Sequence, residues 1–177
     1  LYLVGTPIGN LGDITYRAVE VLRQVDLIAA EDTRHSRQLL NYLQIKKPLT
    51  SYYEHNKKEK EGYLLAQLQE GKEIAFISDA GMPGICDPGM DLLNHAKANG
   101  IPVTVIPGPC ALITAIVASG IATVPFSFEG FLERDKKSRQ QQLADLKNEK
   151  RTMIFYEAPH RLLAALKDMG QCFGLDR

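Results

Sequence analysis

The chain has 177 residues, 45% hydrophobic and 24% charged, an ordinary balance for a water-soluble globular protein and enough for one full domain plus part of another. With 21 basic and 21 acidic residues its net charge is zero, which excludes indiscriminate polyanion binding but leaves room for a local basic face. No apolar run reaches the roughly 18 residues of a membrane span. The three cysteines, Cys86, Cys110 and Cys172, match no metal-ligand spacing, so buried thiols, no bound metal and a reducing, cytoplasmic location are expected.

Residues 1–4 form an apolar run with no basic segment before it and no cleavage site after it, so a strand is expected rather than a signal peptide. Because the first residue is not Met, the natural start is expected a few residues upstream. Gly5-Thr6-Pro7-Ile8-Gly9-Asn10 follows. Asp13 or Thr15 can cap a helix whose Ala18, Val19, Leu22 and Val25 share a face. Leu27–Ala30 is a second strand running into Glu31-Asp32-Thr33-Arg34, with a helix over 37–43 and a short strand over 49–53. A polar helix over Lys57–Gln69 ends at Gly71. Residues 73–78 form the next strand, and Pro88 suits the first turn of a helix that reaches Asn99. A strand over 103–106 and an apolar helix over 111–118 complete the first domain.

Alternating strands and helices of this kind specify an α/β domain built on a parallel-rich sheet with flanking helices. Gly, Ala and Thr break the pattern near 120–125, which puts the boundary between domains 1–122 and 123–177. The second unit carries a strand at Phe126–Phe131, a basic helix over 136–146, a strand at Thr152–Tyr156 and a helix over 159–169. That is too little for an ordinary independent domain, so a second α/β domain present only in part is expected.

Three strands end in Gly/Pro-rich loops, at Gly5, Asp79 and Pro107. Ligands bind open parallel sheets outside the carboxyl ends of their strands, where loops converge and helix N-termini present free amides. The string Gly-Lys-Ser/Thr of a P-loop is absent, and glycines at 5, 9 and 12 have the wrong spacing for a dinucleotide fingerprint. Spacing alone therefore gives a ligand site of unassigned type.

The strings Val4-Gly5-Thr6-Pro7-Ile8-Gly9-Asn10-Leu11, Ala30-Glu31-Asp32-Thr33-Arg34, Ser78-Asp79-Ala80-Gly81-Met82-Pro83-Gly84-Ile85-Cys86-Asp87-Pro88-Gly89, Pro107-Gly108-Pro109 and Phe155-Tyr156-Glu157-Ala158-Pro159-His160-Arg161 resemble the tetrapyrrole methylase superfamily. Within it they resemble the branch that methylates the 2′-oxygen of cytidine in small-subunit ribosomal RNA. The resemblance implies a two-domain α/β fold, a homodimer, a ribosomal RNA substrate in the assembled small subunit, and S-adenosylmethionine held in the cleft between domains. It implies cofactor contacts from Pro7, Ile8, Asp79, Ala80, Gly81, Met82, Ile85, Cys110, Ala111 and Glu157. Met82, Cys86 and Cys110 depart from the branch, where Thr, Ser and Ser are common.

A ribose hydroxyl is a weak nucleophile, so a basic group near it is expected, with Glu31, Asp32 and His55 as candidates and Glu54 and Glu157 behind them. Asp32 equally suits a helix cap, and His55 an ordinary surface position. Tyr52 and Tyr53 offer stacking faces for unpaired RNA. Arg34, Arg37, Arg134, Lys136, Lys137 and Arg161 are the expected RNA contacts, the second-domain group being little balanced by acids. Lys57, Lys58 and Lys60, interleaved with Glu59 and Glu61, read instead as a solvated helix face. The alternatives are a tetrapyrrole C-methyltransferase of the uroporphyrinogen or precorrin type, and a non-catalytic RNA- or nucleotide-binding module.

Overall fold

The computed structural model describes residues 1–177. It divides into two compact units, Leu1–Ala111 and Leu112–Arg177. Sequence pattern puts the boundary after residue 122. The contact division falls earlier because the apolar helix Ala111–Ser119 groups with the second unit. No helix is long and apolar enough to cross a membrane.

The first unit is built on five strands, β1 (Tyr2–Val4), β2 (Leu27–Ala30), β3 (Leu49–Ser51), β4 (Ile74–Ile77) and β5 (Thr104–Ile106). They form one sheet in the order β3-β2-β4-β1-β5, every neighbouring pair parallel. All four residues of β2 and of β4 are buried, as strands covered on both faces require. Helices α1 (Tyr16–Gln24) and α2 (Thr33–Tyr42) lie on one face, where Ala18, Leu22 and Leu40 pack with Val4, Ile28 and Ile77. Helices α3 (Lys57–Gln69) and α4 (Met90–Ala98) cover the other, where Leu64, Leu68 and Leu92 meet Leu3, Ala29 and Phe76. The crossovers that follow adjacent β1 and β4 thus leave to opposite faces, the arrangement that opens a crevice at strand ends.

Thr15 caps α1 by accepting a hydrogen bond from the Ala18 amide, and Asp32 caps α2 by accepting one from Arg34. The helix expected to start at Pro88 starts at Met90 instead, because Gly89 at φ +130° is its N-cap. A Cβ on Gly89 would lie 2.5 Å from the Phe76 ring, so no other residue fits between that cap and the sheet. The strand expected over 49–53 stops at Ser51. Tyr52 then turns inward, fully buried and edge-on to Phe76 at 5.5 Å, which removes it as an RNA-stacking residue. Tyr53 stays exposed. Cys86 is also exposed, against the expectation of buried thiols.

The second unit holds α5 (Ala111–Ser119), β6 (Phe126–Phe131), α6 (Lys136–Asp145), β7 (Thr152–Tyr156) and α7 (Leu162–Phe173). β6 and β7 pair in parallel, with a bulge between Phe128 and Gly130. Leu132, Leu143 and Ala165 form the centre of a small core. Beside it Arg139 donates from Nε and Nη2 to Asp168 at 2.8 and 2.7 Å, both side chains nearly buried. Asp168→Ala leaves that guanidinium without its counter-charge and should cost roughly 3–5 kcal/mol. Urea denaturation of the wild type and the variant measures the loss.

Candidate functional site

The first unit brings its three Gly/Pro loops into direct contact because β4, β1 and β5 are neighbours in the sheet. Gly5, just past β1, donates its amide to Ile106 O at 3.2 Å. Thr6 and Gly81 then exchange two backbone hydrogen bonds, Thr6 N to Gly81 O at 2.9 Å and Gly81 N to Thr6 O at 3.1 Å. Buried Thr6 adds an Oγ1 hydrogen bond to Ser78 O. A Cβ on Gly5 would stand 2.7 Å from Met82 Sδ and 2.9 Å from Gly108 Cα, and one on Gly108 would stand 3.0 Å from Gly5 Cα. Two backbones therefore touch where any side chain would hold them apart. Gly81, at φ +79°, sits with Ile8 Cγ2 and Pro109 O beside it.

Of the expected cofactor residues, Ile8, Gly81 and Met82 lie in this knot with Gly5, Gly108 and Pro109. Pro7, Ala80, Cys110 and Ala111 adjoin them in the chain. Asp79 bridges to the next loop by accepting a hydrogen bond from the Asp32 amide at 3.1 Å. Ile85 is half-exposed further along the same loop. Glu157 lies in the second unit, directly after β7.

Beyond Asp79 the loop turns back toward the end of β2 and encloses a cleft of about 470 Å³. Glu31, Tyr53, Glu54, Asp87 and Asp91 line it, with Cys86 and the turn 88–90. Burial raises the Glu31 pKa, and the negative charges of Asp87 and Asp79 raise it further. Burial raises Asp87 as well, with Asp79 adding to it against a hydrogen bond from Ser78. At the rim, Lys57 pairs with Glu54 at 2.8 Å and Asp91 at 2.7 Å, so that lysine is an ion-pair partner rather than part of a free basic face.

The three catalytic candidates occupy different settings. Glu31 lines the cleft with a raised pKa. Asp32 is the α2 cap, and its carboxylate also accepts from Arg34 Nε at 3.1 Å and Nη2 at 2.7 Å. Those bonds hold it well below the usual carboxylate range. His55 is exposed, edge-on to the Tyr53 ring at 6.3 Å. Asp87 is a cleft residue that the sequence offered only as one letter of a loop string. No spacing rule shows that the loop returns toward Glu31.

Among the expected RNA contacts, Arg34 and Arg37 are exposed on α2, Arg34 in its ion pair with Asp32. Arg134, Lys136 and Lys137 are exposed at the start of α6, and Asp135 caps that helix. Arg161 is different: Nη2 donates to Leu132 O at 2.9 Å and to Glu133 O at 3.0 Å. In the same unit Tyr156 packs edge-on against Phe128 and Phe131, and its hydroxyl accepts the Leu112 amide at 3.1 Å.

A family model described as Tetrapyrrole (Corrin/Porphyrin) Methylases matches residues 1–177. The chain is 55% identical over 177 residues to a ribosomal RNA small subunit methyltransferase I of Synechocystis sp., covering all of this chain and 63% of that protein. It is 51% identical over 174 residues to the protein of the same name from Thermotoga maritima, covering 98% of this chain and 78% of that one. Among solved structures, a diphthine synthase superposes with a TM-score of 0.75 at 12% identity, over 96% of this chain and 70% of the other. A cobalt precorrin-4 methyltransferase superposes with a TM-score of 0.72 at 19% identity, over 97% and 74%. At those identities the superpositions establish the fold.

The crowded carboxylates have a cost that can be measured. Glu31 and Asp87 have raised pKa values in the folded chain, so their contribution to stability is present below the unfolded pKa and lost as pH rises through the folded one. Glu31→Gln and Asp87→Asn should each raise Tm at neutral pH, with the gain fading toward about pH 4, where carboxyls protonate in both states. Calorimetric scans across that range check the sign.

Proposed function

The chain belongs to the tetrapyrrole (corrin/porphyrin) methylase family, and on that footing we propose that it is the larger part of an S-adenosylmethionine-dependent methyltransferase acting on small-subunit ribosomal RNA, at a cytidine ribose 2′-oxygen. The observation that carries this reading is the 55% identity across the whole chain to a ribosomal RNA small subunit methyltransferase I. The chain spans 63% of that relative's length. A tetrapyrrole substrate is not favoured: the resemblance to a uroporphyrin-III C-methyltransferase is 21% and concerns the fold.

The residues present fit the cofactor. Gly5 and Gly108 bring the backbones of the loops into contact, so main-chain groups of residues 7–8, 79–82 and 110–111 are the ones to hold the donor. Such a site tolerates Met82 and Cys110, because amide positions and not side-chain hydroxyls set the contacts. In the second unit the Glu157 carboxylate is buried, and its Oε2 has no partner in the protein, which suits a hydrogen-bond donor on a ligand. The bound cofactor supplies an electrophilic methyl group on a sulfonium.

The protein's task is then to orient the acceptor, exclude water and remove one proton. Glu31 is the group we assign to the 2′-hydroxyl proton, because its raised pKa makes it a better base than an ordinary carboxylate. Asp32, locked to Arg34, holds the Glu31 end of α2 in place. Glu31, Glu54, Asp87 and Asp91 make the cleft hostile to phosphate and receptive to hydroxyl and amino donors, while exposed Tyr53 offers a stacking face. Phosphates fall to Arg34, Arg37, Arg134, Lys136 and Lys137. The substrate assignment carries with it a cytoplasmic location and a small-subunit particle as partner, and a homodimer is the assembly we expect.

Methyl transfer from labelled S-adenosylmethionine to small ribosomal subunits, using the full-length enzyme, tests the function. Label on a uroporphyrinogen instead, or on neither despite cofactor binding, overturns it. Glu31→Gln should lower kcat by roughly 10²–10⁴-fold and remove the acid limb of the pH profile. Gly108→Ala should push the β1 and β5 loops apart and weaken S-adenosylmethionine by at least about tenfold in calorimetric titration.

A further inference from the structure

β2 and β4 are neighbours in the sheet, and past their last paired residues the Glu31 amide still donates to Ile77 O at 3.3 Å. One step further the two chains are laced again, and there the bonds are reciprocal. The Asp32 amide donates to Asp79 Oδ1 at 3.1 Å, and the Asp79 amide donates to the Glu31 carboxylate. A single residue of the β4 loop thus holds both the Glu31 side chain and the peptide unit that follows it. Asp79 itself stands on fixed backbone. Ser78 O, directly before it, accepts a hydrogen bond from Thr6 Oγ1 at 3.3 Å, and Gly81, two residues on, exchanges its two backbone bonds with Thr6.

Glu31 lines the cleft, whereas Asp79 does not. The charged groups around Glu31 all belong to the first unit. Asp32, Asp79 and Asp87 bear on it directly, and of these Asp32 has its carboxylate committed to Arg34. Across the cleft Glu54 and Asp91 are both paired with Lys57. Burial, then Asp87 and Asp79, raise the proton affinity of Glu31, and the Asp79 amide works against them. Asp79 therefore acts on Glu31 twice, through a hydrogen bond that orients it and through a negative charge beside it.

We propose that the Asp79 side chain is a positioning element for proton transfer and not a cofactor ligand: it holds the Asp32 amide, so that the Asp79 amide presents the Glu31 carboxylate to the cleft in one orientation, and it keeps a negative charge beside that carboxylate. This rests on Glu31 taking the 2′-hydroxyl proton.

The test measures methyl transfer to small ribosomal subunits against pH, and S-adenosylmethionine affinity by calorimetric titration, all on the full-length enzyme. Asp79→Ala should lower kcat roughly 10–100-fold, as a misplaced reacting group does, with donor affinity kept within about twofold. Asp79→Asn keeps an oxygen for the Asp32 amide and loses only the charge. It should hold kcat within about threefold on the alkaline side and move the acid limb of the profile to lower pH, because Glu31 then gives up its proton more readily. The double variant Glu31→Gln/Asp79→Ala should be no slower than Glu31→Gln alone, because both changes act through one carboxylate. Should Asp79→Ala not fold, Asp79→Asn decides by its pH profile. Donor affinity lowered tenfold or more in Asp79→Ala returns its side chain to the cofactor site. An unmoved acid limb in Asp79→Asn, an unchanged kcat in Asp79→Ala, or additive losses in the double variant overturn the positioning role and leave Glu31 as the base. Full activity in Glu31→Gln removes the base itself, and this role falls with it.

Discussion

Gly5 and Gly108 meet backbone to backbone, with Met82 Sδ filling the space beside them. Three loops from three neighbouring strands are brought together by that contact, and a single methyl group on either glycine would separate them. The parallel order β4-β1-β5 makes the meeting possible, and the paired bonds of Thr6 and Gly81 fix its register.

Charge is divided in a way that follows from this scaffold. Acidic groups collect at the ends of β2 and β4, where burial together with Asp87 and Asp79 raises the proton affinity of Glu31, and burial together with Asp79 raises that of Asp87. Basic groups stay on exposed helix starts, α2 and α6. Crowding the carboxylates costs the fold stability wherever they are ionised.

Much of this was legible in the chain. The runs Leu27–Ala30 and Ile74–Ile77 are apolar at every position and are buried at every position, so the parallel sheet could be read directly. That the three Gly/Pro loops meet was legible too, since they follow strands of one parallel sheet. Less visible was which of two adjacent tyrosines faces inward, since Tyr52 and Tyr53 differ in position and not in chemistry. The start of α4 is less visible too, because Pro88 satisfies a helix's first turn, whereas the close approach to Phe76 makes Gly89 the cap. That Arg161 donates to the carbonyls of Leu132 and Glu133 is equally invisible, because hydrogen bonds to main chain leave no trace in residue types.

The register of β1 reaches beyond the folded state. Tyr2 pairs with Ala75 on one side and with Thr104 on the other, so the first strand has no complete set of neighbours until more than half of the chain exists. At synthesis rates of about 5–20 residues per second, its apolar residues wait roughly 5–20 seconds for β5 to emerge from the ribosome. Over that interval the nascent chain carries an unpaired strand edge, and the brevity of β1, three residues, limits what else can dock on it.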